Sequence, residues 1–193
     1  VTTQVHLMPF LDEARKEGAR MIVIDPYRNR TARTADQWIG IRPGTDAALA
    51  LALMHILERD GKLDRDFIER RTTGFERLSR EVLPRFEPAV AAELTGVPVE
   101  DIEKLAAEIA GARAPLIKVG IGIGRSTRGG AAVRAICSLA GFTGSYEVLG
   151  GGVQYDTGCE FQLEMDAINR PDWLEGEPRS INMTDIGPAL CDW

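Results

Sequence analysis

Cysteine and histidine are scarce in this sequence of 193 residues, which holds three of the first and two of the second. Cys137, Cys159 and Cys191 are widely spaced with no C-x-x-C pair, which excludes a zinc knuckle and a disulfide framework. His6 and His55 have no acid or cysteine at a useful spacing, so no Ser-His-Asp set and no cysteine–histidine pair is present. Both are read as structural, and no catalytic or metal-ligating residue is assigned. Basic charge is short as well: 23 Lys and Arg face 29 Asp and Glu, and a net charge of −6 excludes a surface built for nucleic acid or an anionic membrane. The longest apolar run, Ala47 to Leu57 around His55, falls well short of the ~20 residues that span a bilayer. No secretory leader, internal repeat or low-complexity run is visible, and residue 1 is valine. A fragment of a longer polypeptide is therefore expected. The cysteine usage favours a reducing compartment, the cytoplasm, with the periplasm as the alternative.

What is present is an ordinary globular composition, 44% hydrophobic and 27% charged. The chain is organised around Met21 to Asp46, MIVIDPYRNRTARTADQWIGIRPGTD. Met21 to Ile24 reads as a strand buried on both faces that stops at Asp25-Pro26. A second apolar segment, Trp38 to Ile41, runs into Arg42-Pro43-Gly44 and then into a long apolar helix from Thr45 to Arg59. Upstream, residues 4 to 16 predict a helix with Phe10, Leu11 and Ala14 facing inward. Downstream, helices are predicted over Arg65–Arg71, Phe75–Leu83, Ala89–Leu94 and from Pro98 onward, with Ile102, Leu105, Ala106 and Ile109 on one face. Ala114 to Val119 predicts a strand, followed by a glycine loop and a helix over Thr127–Ala140. This alternation predicts an α/β fold with a parallel sheet over residues 1–145, and residues 146–193 read as a loop-rich, irregular tail.

Three places carry candidate binding chemistry. Asp25, at a strand end, suits the two hydroxyls of a ribose, or else it caps its own turn before Pro26. Asp46 opens a helix, where an acid is favoured by the dipole. Its two oxygens also match the N1–H and amino group of a guanine. Gly120-Ile121-Gly122-Ile123-Gly124-Arg125 follows a strand and precedes a helix, so its amides can meet a phosphate or an electron-rich ring, although the spacing is not G-x-G-x-x-G. Arg28, Arg30 and Arg33 bunch in one loop and Arg125 and Arg128 in another, which suits a small anionic ligand.

Taken together, IDPYRNRTARTAD, IRPGTDAALALALMHIL, FIERRTTGFERL, LTGVPVEDIEKLA and GIGIGRSTRGGAAVRAICSLAGFTGSYEVLGGG resemble, in order, the molybdopterin oxidoreductases of the dimethyl-sulfoxide-reductase type. The resemblance covers essentially the whole chain. It implies a Rossmann-like, three-layer αβα unit, the third of four domains, with the start of a connection back to the second. It implies a molybdenum or tungsten bis-molybdopterin guanine dinucleotide cofactor in the intact enzyme and a 4Fe-4S cluster in a first domain. As partners it implies the other domains of the same chain and an electron-transfer subunit, with no nucleic acid and no membrane contact from this part. By position, Asp25, Pro26, Tyr27, Arg28 and Asn29 would hold ribose and diphosphate; Gly44, Thr45 and Asp46 would read guanine; Gly120, Ile121, Gly122 and Arg125 would pass near the pterin. Ile121 stands where relatives often carry methionine and Arg125 where they carry glutamine, departures that bear on the substrate. The metal-ligating residue would lie outside this chain, so this portion alone is expected to be inactive. Two other architectures share parts of the pattern: the cofactor-free scaffold of the large iron–sulfur subunit of respiratory NADH dehydrogenase, and the central domain of thiamine-diphosphate enzymes. The paired IDP and PGTD segments do not belong to the latter.

Overall fold

The computed structural model describes residues 5–155 and 163–192; Gln4, at the predicted helix start, and Cys159 lie outside the described residues. In chain order the main elements are α1 (Met8–Lys16), β1 (Ile22–Ile24), α2 (Arg30–Thr34), β2 (Gln37–Ile39), α3 (Asp46–Arg59), α4 (Arg65–Arg71), α5 (Phe75–Glu81), α6 (Pro88–Thr95), α7 (Val99–Gly111), β3 (Leu116–Lys118), α8 (Ile121–Gly124), α9 (Gly129–Phe142), β4 (Gly152–Gln154), α10 (Met165–Asn169) and α11 (Ile186–Asp192). Contacts divide the chain into two compact units, Val1–Asp156 and Thr157–Trp193. In the second unit Arg170, at φ 47°, ends α10, bonds Asp172 and lies 4.0 Å from the Trp173 ring centre.

The core of the first unit is built on α3. Its alanines and leucines leave almost no polar face, and Ala48, Leu49, Ala50, Ala52, Leu53, Met54, Ile56 and Leu57 are all buried. An apolar helix of this kind must be enclosed, and α9, α7 and α6 pack around it. His55 is absorbed structurally, with Nδ1 3.1 Å from the Leu83 carbonyl oxygen. The neighbouring helices start and stop where their local chemistry requires. The Asp64 carboxylate accepts the Phe67 N–H at 2.9 Å and caps α4. Gly74 and Gly96, both at positive φ, bound α5 and α6. Pro98 precedes α7, whose first turn holds Glu100 and Asp101.

The fold is α/β, and its strand pairs are parallel. They form two separate pairs, β1 with β2 and β3 with β4. Three features differ from the sequence expectation. The first strand is not buried on both faces, because Ile24 is exposed and Ile22 and Val23 only half-buried. Phe10, expected to face inward, is 68% exposed, and α1 buries no residue. Helix α1 is instead tied down by charge: Arg15 pairs with Asp36 at 2.8 Å, and Asp36 also accepts the Met21 N–H at 2.8 Å. Finally, the stretch past residue 145 holds a strand, β4, whose Gln154 carbonyl accepts the Val119 N–H.

Candidate functional site

Strands β1 and β2 run in register, Ile22 against Gln37 and Ile24 against Ile39, so both end at one edge. Ligands of open α/β sheets bind beyond such carboxyl ends. Asp25 is the first residue past β1, and its N–H still donates to the Ile39 carbonyl at 3.2 Å. Its carboxylate is engaged in its own loop, where Oδ1 accepts the Tyr27 N–H at 2.7 Å and Oδ2 accepts the Asn29 amide at 3.0 Å. The Asn29 side-chain oxygen in turn accepts the Ala32 N–H at 3.0 Å and caps α2. One carboxylate thereby joins strand end, loop and helix start. A carboxylate has about four acceptor positions, so this turn role leaves capacity for a ligand hydroxyl. Pro26, Tyr27 and Arg28 stand exposed around it, Tyr27 at 68%.

Sequence reasoning missed Trp38. It lies on β2 opposite Val23, and its Nε1–H donates to the Asp25 carbonyl at 2.9 Å. The Arg28 guanidinium carbon lies 5.8 Å from the centre of its ring. Gly40 makes room for the ring, since a Cβ there would come within 3.2 Å of two indole carbons. No sequence spacing announces these contacts. The signal is an aromatic residue in a short strand, two positions before a glycine.

Three residues past β2 the chain enters the turn Arg42-Pro43-Gly44-Thr45. Proline followed by glycine at φ 78° is the pattern of a type II turn, and the Thr45 N–H and hydroxyl both donate to the Arg42 carbonyl. The Arg42 side chain donates to the carbonyls of Glu93 and Leu94, and its N–H to that of Thr95, fastening the turn to the end of α6. Thr45 is the residue before α3 and makes no side-chain cap. The carboxylate of Asp46, a half-buried residue in the first turn of α3, has no hydrogen-bond or ion-pair partner among the described residues.

The glycine segment beyond β3 is not an open loop of free amides. Ile121–Gly124 forms the helical turn α8, where the Ile123 N–H donates to Gly120 O and the Arg125 N–H to Gly122 O. Two of the amides are therefore already spent. Its glycines divide into two kinds. A Cβ on Gly124 would overlap the Tyr155 hydroxyl, and one on Gly129 would overlap the Ile123 carbonyl oxygen, so both allow close packing. Gly120 and Gly122 have neither a positive φ nor any atom within 4 Å of an added Cβ. Ile121 is 54% exposed, and Arg125 is exposed with no ion-pair partner among the described residues.

Asp25, Tyr27, Arg28, Asn29 and Trp38 thus form one bonded group, and Gly44, Thr45 and Asp46 follow the end of β2 five to seven residues along the chain. Among the described residues, no hydrogen bond joins Asp46 or the Gly120 segment to the Asp25 group. Cavities of about 230 and 340 Å³, at the ends of α3 and α7 and beside Thr72–Gly74, include none of these residues. The site is an open edge. Among the described residues no helix is long and apolar enough to cross a membrane, and no group of three His, Cys, Asp or Glu side chains could hold a metal ion.

The sequence model of the molybdopterin oxidoreductase family matches residues 3–167. The probable oxidoreductase YoaE of Bacillus subtilis is 39% identical over 194 residues, which is all of this chain and 28% of that protein. The F420-dependent formate dehydrogenase subunit alpha of Methanocaldococcus jannaschii is 37% identical over 140 residues, 72% of this chain and 21% of that one. Among solved structures, acetylene hydratase from Pelobacter acetylenicus superposes with a TM-score of 0.66 at 33% identity, covering 70% of this chain and 18% of that chain. The chain therefore spans less than a third of the length of these relatives. On this match of sequence and fold, the chain belongs to the molybdopterin oxidoreductase family.

Proposed function

We propose that this chain is the nucleotide-holding portion of a molybdenum or tungsten oxidoreductase, and that it grips the guanine nucleotide of one molybdopterin guanine dinucleotide. The observation that carries the reading is the Asp46 carboxylate, which opens α3 in the segment that follows β2 and has no partner among the described residues. A bidentate acceptor left free in this way suits the N1–H and amino group of guanine. Asp25 offers its remaining acceptor positions to ribose hydroxyls, and Arg28 offers a guanidinium to the diphosphate. Gly120 and Gly122 lack a side chain where neither backbone nor packing asks for it, which leaves clearance for a pterin.

When bound, the metal–pterin group supplies two-electron redox chemistry, and the protein supplies binding and orientation. This chain would contribute through its own residues. Asp46 fixes the base, the Asp25–Asn29 loop fixes the sugar and diphosphate, and α8 covers the inner end. Other domains of the same polypeptide would close the open edge, and an electron-transfer subunit would serve the whole enzyme.

Asp46→Asn in the full-length protein tests the base contact. The exchange removes one acceptor and the charge, and should weaken retention of the guanine dinucleotide by about 1–3 kcal/mol. Acid release and quantification of guanine nucleotide measures it, and unchanged occupancy removes Asp46 from the site. One observation favours a second reading, a cofactor-free scaffold like that of the large iron–sulfur subunit of NADH dehydrogenase: both Asp25 carboxylate oxygens are already bonded within the loop. Metal analysis separates the two. Molybdenum or tungsten together with released guanine supports the nucleotide site, and a folded protein lacking both supports the scaffold.

A further inference from the structure

We propose that Trp38 is a positioning residue for the anion-binding arginine of this edge: its indole pins the Asp25 carbonyl while its ring carries Arg28 with the guanidinium donors left free for a diphosphate. The inference rests on the nucleotide reading above and adds to it a residue and the part it plays.

Arg28 is held differently from the ion-paired arginines of the chain. Arg15, Arg59 and Arg70 each meet a carboxylate oxygen at 2.7–2.8 Å. A carboxylate that binds an arginine takes up its N–H donors, often two of the five. Arg28 makes no ion pair among the described residues, and its contact is the face of Trp38 at 5.8 Å. An aromatic face attracts the cation without consuming in-plane N–H groups. The side chain is therefore restrained and still unsatisfied, which is the state an anion-binding arginine needs before its ligand arrives. Arg30 and Arg33, on α2, have neither a carboxylate partner nor a ring contact among the described residues.

Trp38 is suited to this task on both of its sides. Its Nε1–H, which would otherwise face water on a residue 37% exposed, is spent on main chain of the other strand's loop. That bond fixes the peptide from which Tyr27, Arg28 and Asn29 follow. Gly40 gives the ring its place, since a Cβ there would press on two indole carbons at 3.2 Å. Residues 25, 28, 38 and 40 thus act as one clamp drawn from both strand ends.

The test uses the full-length protein stripped of pterin, titrated calorimetrically with GDP, pyrophosphate and guanosine. Trp38→Leu should weaken pyrophosphate and GDP roughly tenfold, the scale of a charge-assisted contact, and leave guanosine unchanged. Arg28→Gln should cost the same, and the double variant no more than Arg28→Gln alone. Trp38→Phe, which keeps the ring, should restore most of the loss. A purely structural Trp38 would weaken all three ligands alike and give additive losses, and either result overturns the proposal. Where Trp38→Leu does not fold, fluorotryptophan labelling replaces it. The Trp38 fluorine resonance should move with pyrophosphate in the wild type and not in Arg28→Gln, and a resonance that stays put at saturation overturns the role. If the wild type binds neither GDP nor guanosine, the nucleotide reading fails and takes this inference with it. If it binds both without coupling between residues 28 and 38, only the role of Trp38 falls.

Discussion

The edge beyond β1 and β2 is finished with side chains, whereas the edge beyond β3 is finished with their absence. At the first, an aspartate, an asparagine, a tryptophan and an arginine are bonded or stacked into a clamp. At the second, a helical turn of alternating glycine and isoleucine packs through its Gly124 and against Gly129 of α9, and leaves Gly120 and Gly122 in open space. The difference separates two ways of preparing a surface. A clamp of polar side chains fixes donors and acceptors before a ligand arrives, while bare backbone offers only room. Substitutions at the first edge should therefore move local stability and ligand binding together. At the second edge they should move one or the other, depending on which glycine is changed.

The largest effect is expected at Gly129. It is buried, and an added Cβ would overlap the Ile123 carbonyl oxygen and approach the Gly124 carbonyl carbon to 2.6 Å, so backbone rather than a flexible side chain must yield. Gly129→Val should destabilise the protein by about 3 kcal/mol, read from the midpoint of denaturant unfolding. A loss of less than about 1 kcal/mol would mean that α8 is free to swing away from α9.

Gly129 also marks where the sequence stops being legible. Helices α3 to α7 could be read in advance because they carry local signals: an apolar period, a proline at the start of α6 and before α7, and a glycine such as Gly96 at the stop. The Asp25 and Asp46 corners were readable for a similar reason, since proline punctuates both. Strand β4 was not, because three residues beginning with Gly152 show no alternation and are held by Leu116–Lys118 across a long gap in sequence. The exposure of Phe10 and Ile24 was hidden too, because an apolar period reports that a face wants cover and not whether this stretch of chain supplies it. The contacts of Trp38 depend on strand register, which no local pattern encodes.

At the first edge, Asn29→Ala removes the cap of α2 and the bond to Asp25 in one step. The expected cost is about 1–2 kcal/mol by unfolding. It should be accompanied by weaker GDP binding, because the freed Asp25 carboxylate no longer holds the loop. Loss of stability with binding intact would detach the loop from the ligand, and would make the first edge resemble the second.

A smaller effect lies where α1 is tied to the same strand pair. The hydrogen bond from Arg15, reinforced by the Met21 N–H and by Arg15 and Arg20 as charges, lowers the Asp36 carboxyl to about 2. Its folded value is below its ordinary one, so its contribution to stability is present above the ordinary carboxylate range and is lost as pH falls through about 2. The site is exposed and water screens it, so the contribution is modest. Unfolding midpoints of wild type and Asp36→Asn should converge over that acid range. A constant gap between them would place the stabilisation in packing rather than in the charge.

Gly120→Ala should change stability least of all, by no more than about 0.5 kcal/mol in either direction. The residue has φ −80°, a conformation any amino acid adopts, and an added methyl would meet no atom within 4 Å. Nothing inside this unit therefore explains a glycine there, and the substitution isolates whatever lies outside it. If the position borders the pterin, Gly120→Ala in the full-length protein should lower cofactor content while leaving the unfolding midpoint where it was. Gly124→Ala, pressed against Tyr155, should instead lower the unfolding midpoint. Equal cofactor content in wild type and Gly120→Ala would leave the second edge without a ligand role and confine binding to the first.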